Sequence, residues 1–574
     1  MIARSALSLE ALEALAPEGM NTAIARMRAK AWEPIAFKLS LNGPTPDRLR
    51  AAPRNLRAGD PQRGEEIYKG CFAFAGATLH APRSGPWAEG GPAAVKFREE
   101  LESFAWLRHL GAIDRLLPEG VIEAREAARG FAESWILSHT AFAEPAWAPA
   151  IVGRRIFSWL TEAVLLSDNA DLIWRARFHS SLAQQARYLS ATMELSPPGL
   201  PRLTAMMGVV LGCLALGDGG PRRARAIQAL LAELDSQLLP DGGHKSRSVA
   251  VQIEILADLL TLKESFRQSN TPTPRAFDDT IARMMPMLRS FHIGEGHLAA
   301  FHGSGTEAPA TVLALLEADK DESTPWASAA HSGYDRMAAG GTLVLADSGP
   351  APPFEFAATA HASALAFELI SGEQRIVVNC GRPREEDAEA RVFRTAAAHS
   401  TLSFVTRAPA PGRNAKLSAR LAGGPREIEA HRHEEPTGTL LELAHDGYGT
   451  EFGRRHARRL YLQDGDLRGE DRIEPSAGGA MVPTVPFRLR FHLHPHIEVK
   501  PEEGGARLAL PNGEMWRFRC RGAEIAIADS IFNGPEGALA TKQIVIKGDA
   551  ALEPIAVSWA FRRERTPPEP KAVE

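Results

Sequence analysis

The chain has 574 residues, too many for one hydrophobic core, so two or more domains are expected. Hydrophobic residues make up 44% and charged residues 24%, ordinary for a globular protein, and a net charge of -4 excludes an overall basic field that would draw in nucleic acid. Four cysteines (Cys71, Cys213, Cys380, Cys520) lie far apart without a CxxC pair, which argues against a disulfide framework or a zinc finger.

The chain opens with MIARSALSLEALEALAPEG. Glu10 and Glu13 interrupt Leu7, Leu9, Leu12 and Leu15, so a short amphipathic helix is expected rather than the apolar stretch of a secretion signal. No signal peptide is visible, which favours the cytoplasm. Residues 1–58 are expected to form a helical or irregular N-terminal segment. From 59 to 320 the period is helical: Ile227, Leu230, Leu231 and Leu234 in AIQALLAELDSQL fall on one face. VAVQIEILADLLTL and FDDTIARMMPMLRSF behave likewise, with turns such as LPDGGH and GDGGPRR between segments. Such helices predict antiparallel pairs stacked in an array or ring. The apolar run Leu203 to Leu216, about fourteen residues, is short of the roughly 20 that span a bilayer and reads as a buried helix; no transmembrane segment is expected.

A polar linker covers 321–331. From 332 to 563 the period becomes two, in GTLVLADSG, ALAFELI, RIVVNC, STLSFVT, RFHLHPHIEV and EIAIADSIF, which predicts an antiparallel β-sandwich. Within TAHASALAFELISGEQRIVVNCG, Leu365, Phe367 and Leu369 fall on one side and Ala364, Ala366 and Glu368 on the other, the pattern of a half-buried strand. A turn at Ser371-Gly372-Glu373 and a second strand, Arg375 to Cys380, follow, with His361 at the mouth of the pair. Residues 564–574 read as a disordered tail. The fold class is therefore α+β multidomain, an N-terminal helical array followed by an antiparallel sandwich.

Several stretches in this order resemble the heparinase II/III family of polysaccharide lyases: GPWAEGGPAAVKFREELESFAWLRHL, WAPAIVGRRIFSWL, LLPDGGHKSRS, SGYDRMAAGGTLVLADSGP, AHASALAFELISGEQRIVVNCG and RTAAAHSTLSF. The resemblance implies an α/α toroid followed by a sandwich, a sugar cleft between them, and an acidic polysaccharide or oligosaccharide as partner. Related lyases are usually periplasmic or secreted. The implied chemistry is β-elimination at a uronic acid: a base takes the C5 proton, an acid protonates the leaving oxygen at C4, and a third group neutralises the carboxylate. Family members commonly use a Tyr after the DGG turn, a sandwich His and a helical-domain Asn. Here RSVAVQ puts Val251 and Gln252 where Tyr and His would stand, Thr359 replaces the first histidine of the sandwich motif, and SPPGLPRL holds no Asn.

Other residues at the matching loops are the candidates. His244 is a candidate base, Lys245 a substrate-binding cation and Arg247 a uronate clamp, unless this loop only caps the next helix. Tyr334 is a candidate acid or a sandwich-edge aromatic. Arg154, Arg155 and Trp159 suit a sugar-binding wall, or a core tryptophan beside a surface arginine pair. The resemblance also implies a metal set at His361, Asn379 and His399. Two imidazoles suit Zn²⁺, but an Asn carbonyl is a poorer third ligand than a carboxylate. A structural zinc at His361 and His399 and a hydrogen-bonded histidine pair both stay open, as does a catalytic role for His361; no cofactor is required. His492, His494 and His496 in FHLHPH read as core or edge structure, and Gly303 and Gly305 in FHGSGTEAP do not make a phosphate loop. Two functions follow: a lyase on an acidic polysaccharide, or a catalytically silent glycan-binding or cell-envelope protein that keeps the lyase fold.

Overall fold

A computed structural model describes residues 30–81, 85–87, 94–117, 120–218, 220–384, 389–405, 424–476 and 482–564. The amphipathic stretch at the N-terminus and residues 565–574 of the expected tail lie outside them. The chain forms two compact units. One holds the described residues up to Ser236 together with Asp258–Phe277; the other holds Gln237–Ala257 and everything described from Asp278 onward. The last long helix is Pro309–Glu317 and the first sandwich strand Ser328–Ala329, close to the expected change of period. The units nevertheless do not divide there, because two helical segments belong with the strands.

The first unit is helical. Asp60 starts the helix Pro61–Tyr68 by accepting the N–H groups of Gln62 and Arg63, and Asp171 starts Leu172–Thr192 by accepting that of Trp174. Helices Pro149–Thr161 and Leu200–Leu216 touch through glycine: a β-carbon at Gly208 would meet the Gly153 backbone at 2.6 Å. Trp135, Trp147 and Trp159 fill the core beside them. A short hairpin, Cys71–Phe74 with Ala77–His80, was not anticipated from the sequence.

The second unit carries the sandwich. An eight-stranded antiparallel sheet runs in spatial order Glu498–Glu502, Gly505–Ala509, Met515–Arg521, Ile555–Arg563, Asp466–Pro475, Arg454–Gln463, Gly438–His445, Glu429–Glu435. A nine-stranded one runs Glu524–Gly534, Gly537–Ala550, Val485–Leu493, Gln374–Val378, Phe367–Ser371, Thr342–Asp347, Tyr334–Ala339, Ser328–Ala329, with Leu402–Phe404 also paired to Val485–Leu493. Their inner faces meet in one apolar core, where Phe367 of one sheet stacks on Trp559 of the other at 5.5 Å between centroids.

A buried ion pair crosses the same layer. Arg458 donates to Asp471 at 2.8 Å and to the carbonyls of Leu365 at 2.6 Å and Ser400 at 3.0 Å, while His456 and Trp559 also bond Asp471. It explains the first of two departures from the expected strand. Leu365 sits at φ 58, with its carbonyl on Arg458 and its N–H on the Asp347 carbonyl, so the strand starts only at Phe367. Glu368 is fully buried rather than solvent-facing. It accepts the Ala300 N–H at 3.0 Å and pairs with Arg375 at 3.2 Å, which makes this strand buried on both faces. In FHLHPH the strand ends at Leu493, so only His492 lies on it, buried.

Candidate functional site

Arg247 occupies the turn before the helix Val249–Gln268, with a left-handed φ of 57. Its side chain is 5% exposed and all five of its N–H groups have acceptors. Nε donates to Ser332 O at 2.8 Å, Nη1 to Gly349 O at 3.0 Å and Pro350 O at 2.7 Å, and Nη2 to Gly333 O at 2.7 Å and to Asp347. Gly333 and Gly349 let the two loops close on the guanidinium: a β-carbon on Gly349 would lie 2.7 Å from it, and one on Gly333 2.2 Å from the Gly349 backbone. Burial alone would raise the Asp347 pKa, but Arg247, helped by His302 and Ser363, holds it well below the usual carboxylate range. Tyr334 donates its hydroxyl to Arg247 O at 2.5 Å, and burial pushes its pKa up.

Beside this pair lies a chain of histidines whose protons can be placed. His399 Nδ1 faces Thr395 O at 2.8 Å; a carbonyl only accepts, so Nδ1 carries the hydrogen. Burial lowers the His399 pKa to about 4, so the ring is neutral and Nε2 is an acceptor. It takes the hydrogen of His361 Nδ1, 3.2 Å away. Burial, then His399, pushes the His361 pKa well down, so His361 is also neutral and keeps a bare lone pair on Nε2. His302, at a left-handed φ of 47, accepts the His361 N–H on Nδ1 at 3.2 Å, which puts its own hydrogen on Nε2, 3.3 Å from Asp347. Arg247 Nη1 lies 3.2 Å from that protonated nitrogen, but its hydrogens serve the Gly349 and Pro350 carbonyls instead.

Arg247, Asp347, His302 and His361 line a cavity of about 680 Å³ within the second unit. Its wall adds His445, whose Nδ1 accepts the Gly447 N–H at 3.1 Å, and Tyr448, whose hydroxyl donates to Leu402 O at 2.8 Å. Exposed Arg426, Asp446 and Glu451 also line it.

Of the expected site residues, Arg247 and His361 reach this cavity; the others do not line it. His244 is 3% exposed, with its ring held between Ser246 and Gln237 and its pKa lowered by burial to about 3, so it is a locked structural histidine rather than a base. Ser248 accepts the Val251 N–H at 3.4 Å, as a capping loop would, and Lys245 is half-buried with its backbone N–H on Gln237 O. Gln252 donates to the carbonyls of Gly242 and Met284. Tyr334 is a buried strut, not an available acid. The proposed sugar wall lies inside the first unit. Trp159 is 0% exposed; Arg155, equally buried, bonds Gln185, Glu102 O and Ala146 O and stacks over Trp135 at 4.0 Å. Arg154 makes a bidentate pair with buried Asp258 at 2.9 Å. His302, Asp347, His445, Tyr448 and Arg426 were missed from the sequence.

The donor set does not suit the implied zinc. Asn379 Oδ1 accepts the Ser400 N–H at 2.9 Å and its Nδ2 faces Glu368, so it is committed on both sides. Two neutral imidazoles facing each other remain, and among the described residues no group of three His, Cys, Asp or Glu side chains is placed to hold a metal.

The described residues thus combine a helical unit with an antiparallel sandwich, and residues 321–560 match the family model for the heparinase II/III-like C-terminal domain. The chain belongs to the heparinase II/III family. FtsZ-localized protein C of Caulobacter vibrioides is 33% identical to it over 535 residues, 91% of this chain and 90% of that protein. The crystal structure of heparinase III matches with a TM-score of 0.67 at 13% identity, over 98% of this chain and 92% of that one. A heparan sulfate lyase HepC mutant from Pedobacter heparinus matches with a TM-score of 0.58 at 15% identity, over 99% and 92%. No described helix is long and apolar enough to cross a membrane.

Arg247→Ala leaves Asp347 buried without its counter-ion and should lower stability by about 3–5 kcal/mol, read from the urea midpoint. Because the folded pKa of Asp347 is depressed, its contribution is fully present above the unfolded carboxylate pKa of about 4 and is lost as pH falls below it. Asp347→Asn should flatten that acid limb; an unchanged limb would remove Asp347 from the account. For the metal, protein purified without chelator should contain less than about a tenth of an equivalent of zinc by elemental analysis, since two neutral imidazoles leave the usual four-ligand structural site half built. A full equivalent would show that the histidine pair is a ligand pair.

Proposed function

We propose that this chain is a glycan-binding member of the family that keeps the lyase fold without uronate elimination. The observation that carries this reading is the Arg247 guanidinium. Elimination needs a group held on the substrate carboxylate to offset its charge, the role the sequence offered to Arg247, and every N–H of Arg247 is already on a protein acceptor. The hydroxyl of Tyr334 is likewise engaged. His361 offers a lone pair, but its pKa lies far below that of a base matched to neutral pH. A weakly basic nitrogen at a cavity wall suits acceptance of a sugar hydroxyl, and the Tyr448 ring offers an apolar face for a pyranose. With Arg247 and Asp347 cancelling, one arginine, Arg426, stands against Asp446 and Glu451 among the described wall residues. That balance favours hydroxyl-rich or amino sugars over a polyuronate.

Calorimetric titration with neutral, amino-sugar and uronic oligosaccharides tests this. The first two classes should bind more tightly than the third, and His361→Ala should weaken binding by about 1–2 kcal/mol, the range for one lost hydrogen bond. Rising absorbance near 232 nm (an unsaturated uronate) on any uronic polysaccharide would overturn the reading.

The name of the Caulobacter relative supports a second element, a place beside FtsZ at the division site. A fluorescent fusion expressed in Caulobacter vibrioides should form a midcell band that disappears on FtsZ depletion. Diffuse fluorescence would sink it.

A further inference from the structure

The first unit carries a basic cavity that none of the glycan chemistry above uses. It measures about 340 Å³ and is lined by Arg187, Arg222 and Arg225, with Ser190 beside them and no carboxylate among the described wall residues. Arg187 comes from the helix Leu172–Thr192, and the other two from the first turns of Pro221–Gln237. That placement runs against helix electrostatics. The N-terminus of a helix carries partial positive charge and favours Asp or Glu, yet this first turn holds no acid; Arg222 and Arg223 stand there instead, with Arg225 just after it.

The surroundings do little to offset the repulsion. Arg187 spends Nε on Ser40 O and Nη1 on Pro44 O, both at 2.9 Å, which fixes its plane but supplies no opposite charge. Burial, then Arg222, lowers the Arg187 pKa, the mark of a cation crowded by another cation. Arg222 has one counter-ion, Asp218, on the side of an adjoining cavity that it shares with Arg187. Arg225 is exposed, and no side-chain partner is found for it among the described residues. Exposed Trp32 is tied to one wall residue, donating its indole N–H at 3.1 Å to the carbonyl of Ala191.

We propose that this cavity binds a phosphate group, held between the guanidinium groups of Arg187, Arg222 and Arg225. A phosphate monoester presents three peripheral oxygens and close to two negative charges, which matches three guanidiniums better than the two oxygens and single charge of a carboxylate. The helix N-terminus adds attraction of the same sign. The Trp32 indole gives the molecule that carries the phosphate a surface to rest on.

The test is calorimetric titration of the full chain with inorganic phosphate and with glucose 6-phosphate, at fixed ionic strength, with glucuronate as the carboxylate comparison. Both phosphates should bind, glucose 6-phosphate more tightly if Trp32 contributes. Arg225→Ala should weaken each by about tenfold or more, the loss of one charge-assisted contact. Arg225 is exposed and has no side-chain partner among the described residues, so this variant should keep the wild-type melting temperature, which would separate lost binding from lost folding. Equal affinity of Arg225→Ala and wild type, no binding of either phosphate, or glucuronate binding as tightly as phosphate would each overturn the proposal.

Discussion

The pairing of Arg247 with Asp347 is the constraint on which the second unit depends. A guanidinium taken out of water must find an acceptor for every hydrogen, and here four loop carbonyls and one carboxylate supply them. To do so, the segment Gln237–Ala257 has to lie against the strands Tyr334–Ala339 and Thr342–Asp347. That accounts for a helical segment belonging to the same compact unit as the sandwich. It also accounts for the left-handed backbone of Arg247 and for Gly333 and Gly349, whose missing side chains make the space.

The cavity inherits its character from this pair. Asp347 takes the Nε2 hydrogen of His302, His302 receives the His361 N–H, and His361 is then oriented by His399. Each link fixes a tautomer, so a row of neutral imidazoles presents one defined lone pair to the cavity instead of an adjustable set of protons. The cost is basicity. Burial disfavours the charged form of every ring in the row.

The layout of the chain was legible in the sequence because period carries it: the 3.6-residue pattern of AIQALLAELDSQL and the alternation in RIVVNC are local properties. The heparinase II/III resemblance was legible for the same reason, as a series of short stretches in order. The partners of charged residues were not. Asp347 in LADSG looks like a turn residue at a strand end, and His302 in FHGSG looks like part of a glycine loop. Only a fold that brings them to Arg247 gives them a role. Trp159 and Arg155 misled in the opposite direction, since a Trp–Arg combination reads alike whether it faces a sugar or packs as a buried cation on an indole ring. Burial decides between the two, and a helix of mixed composition does not announce which face is buried.

The separation of these partners along the chain also bears on how the protein is made. Arg247 and Asp347 are 100 residues apart, so during synthesis the arginine leaves the ribosome well before any of its acceptors exists. Until then its charge stays in water and the loop before Val249–Gln268 has nothing to hold its left-handed turn. Closing so long a loop costs entropy before any contact repays it, which makes this step slow relative to forming the helices on either side. The acceptors from Ser332 to Pro350 are made together, so the whole set that holds the guanidinium becomes available in one short stretch of synthesis.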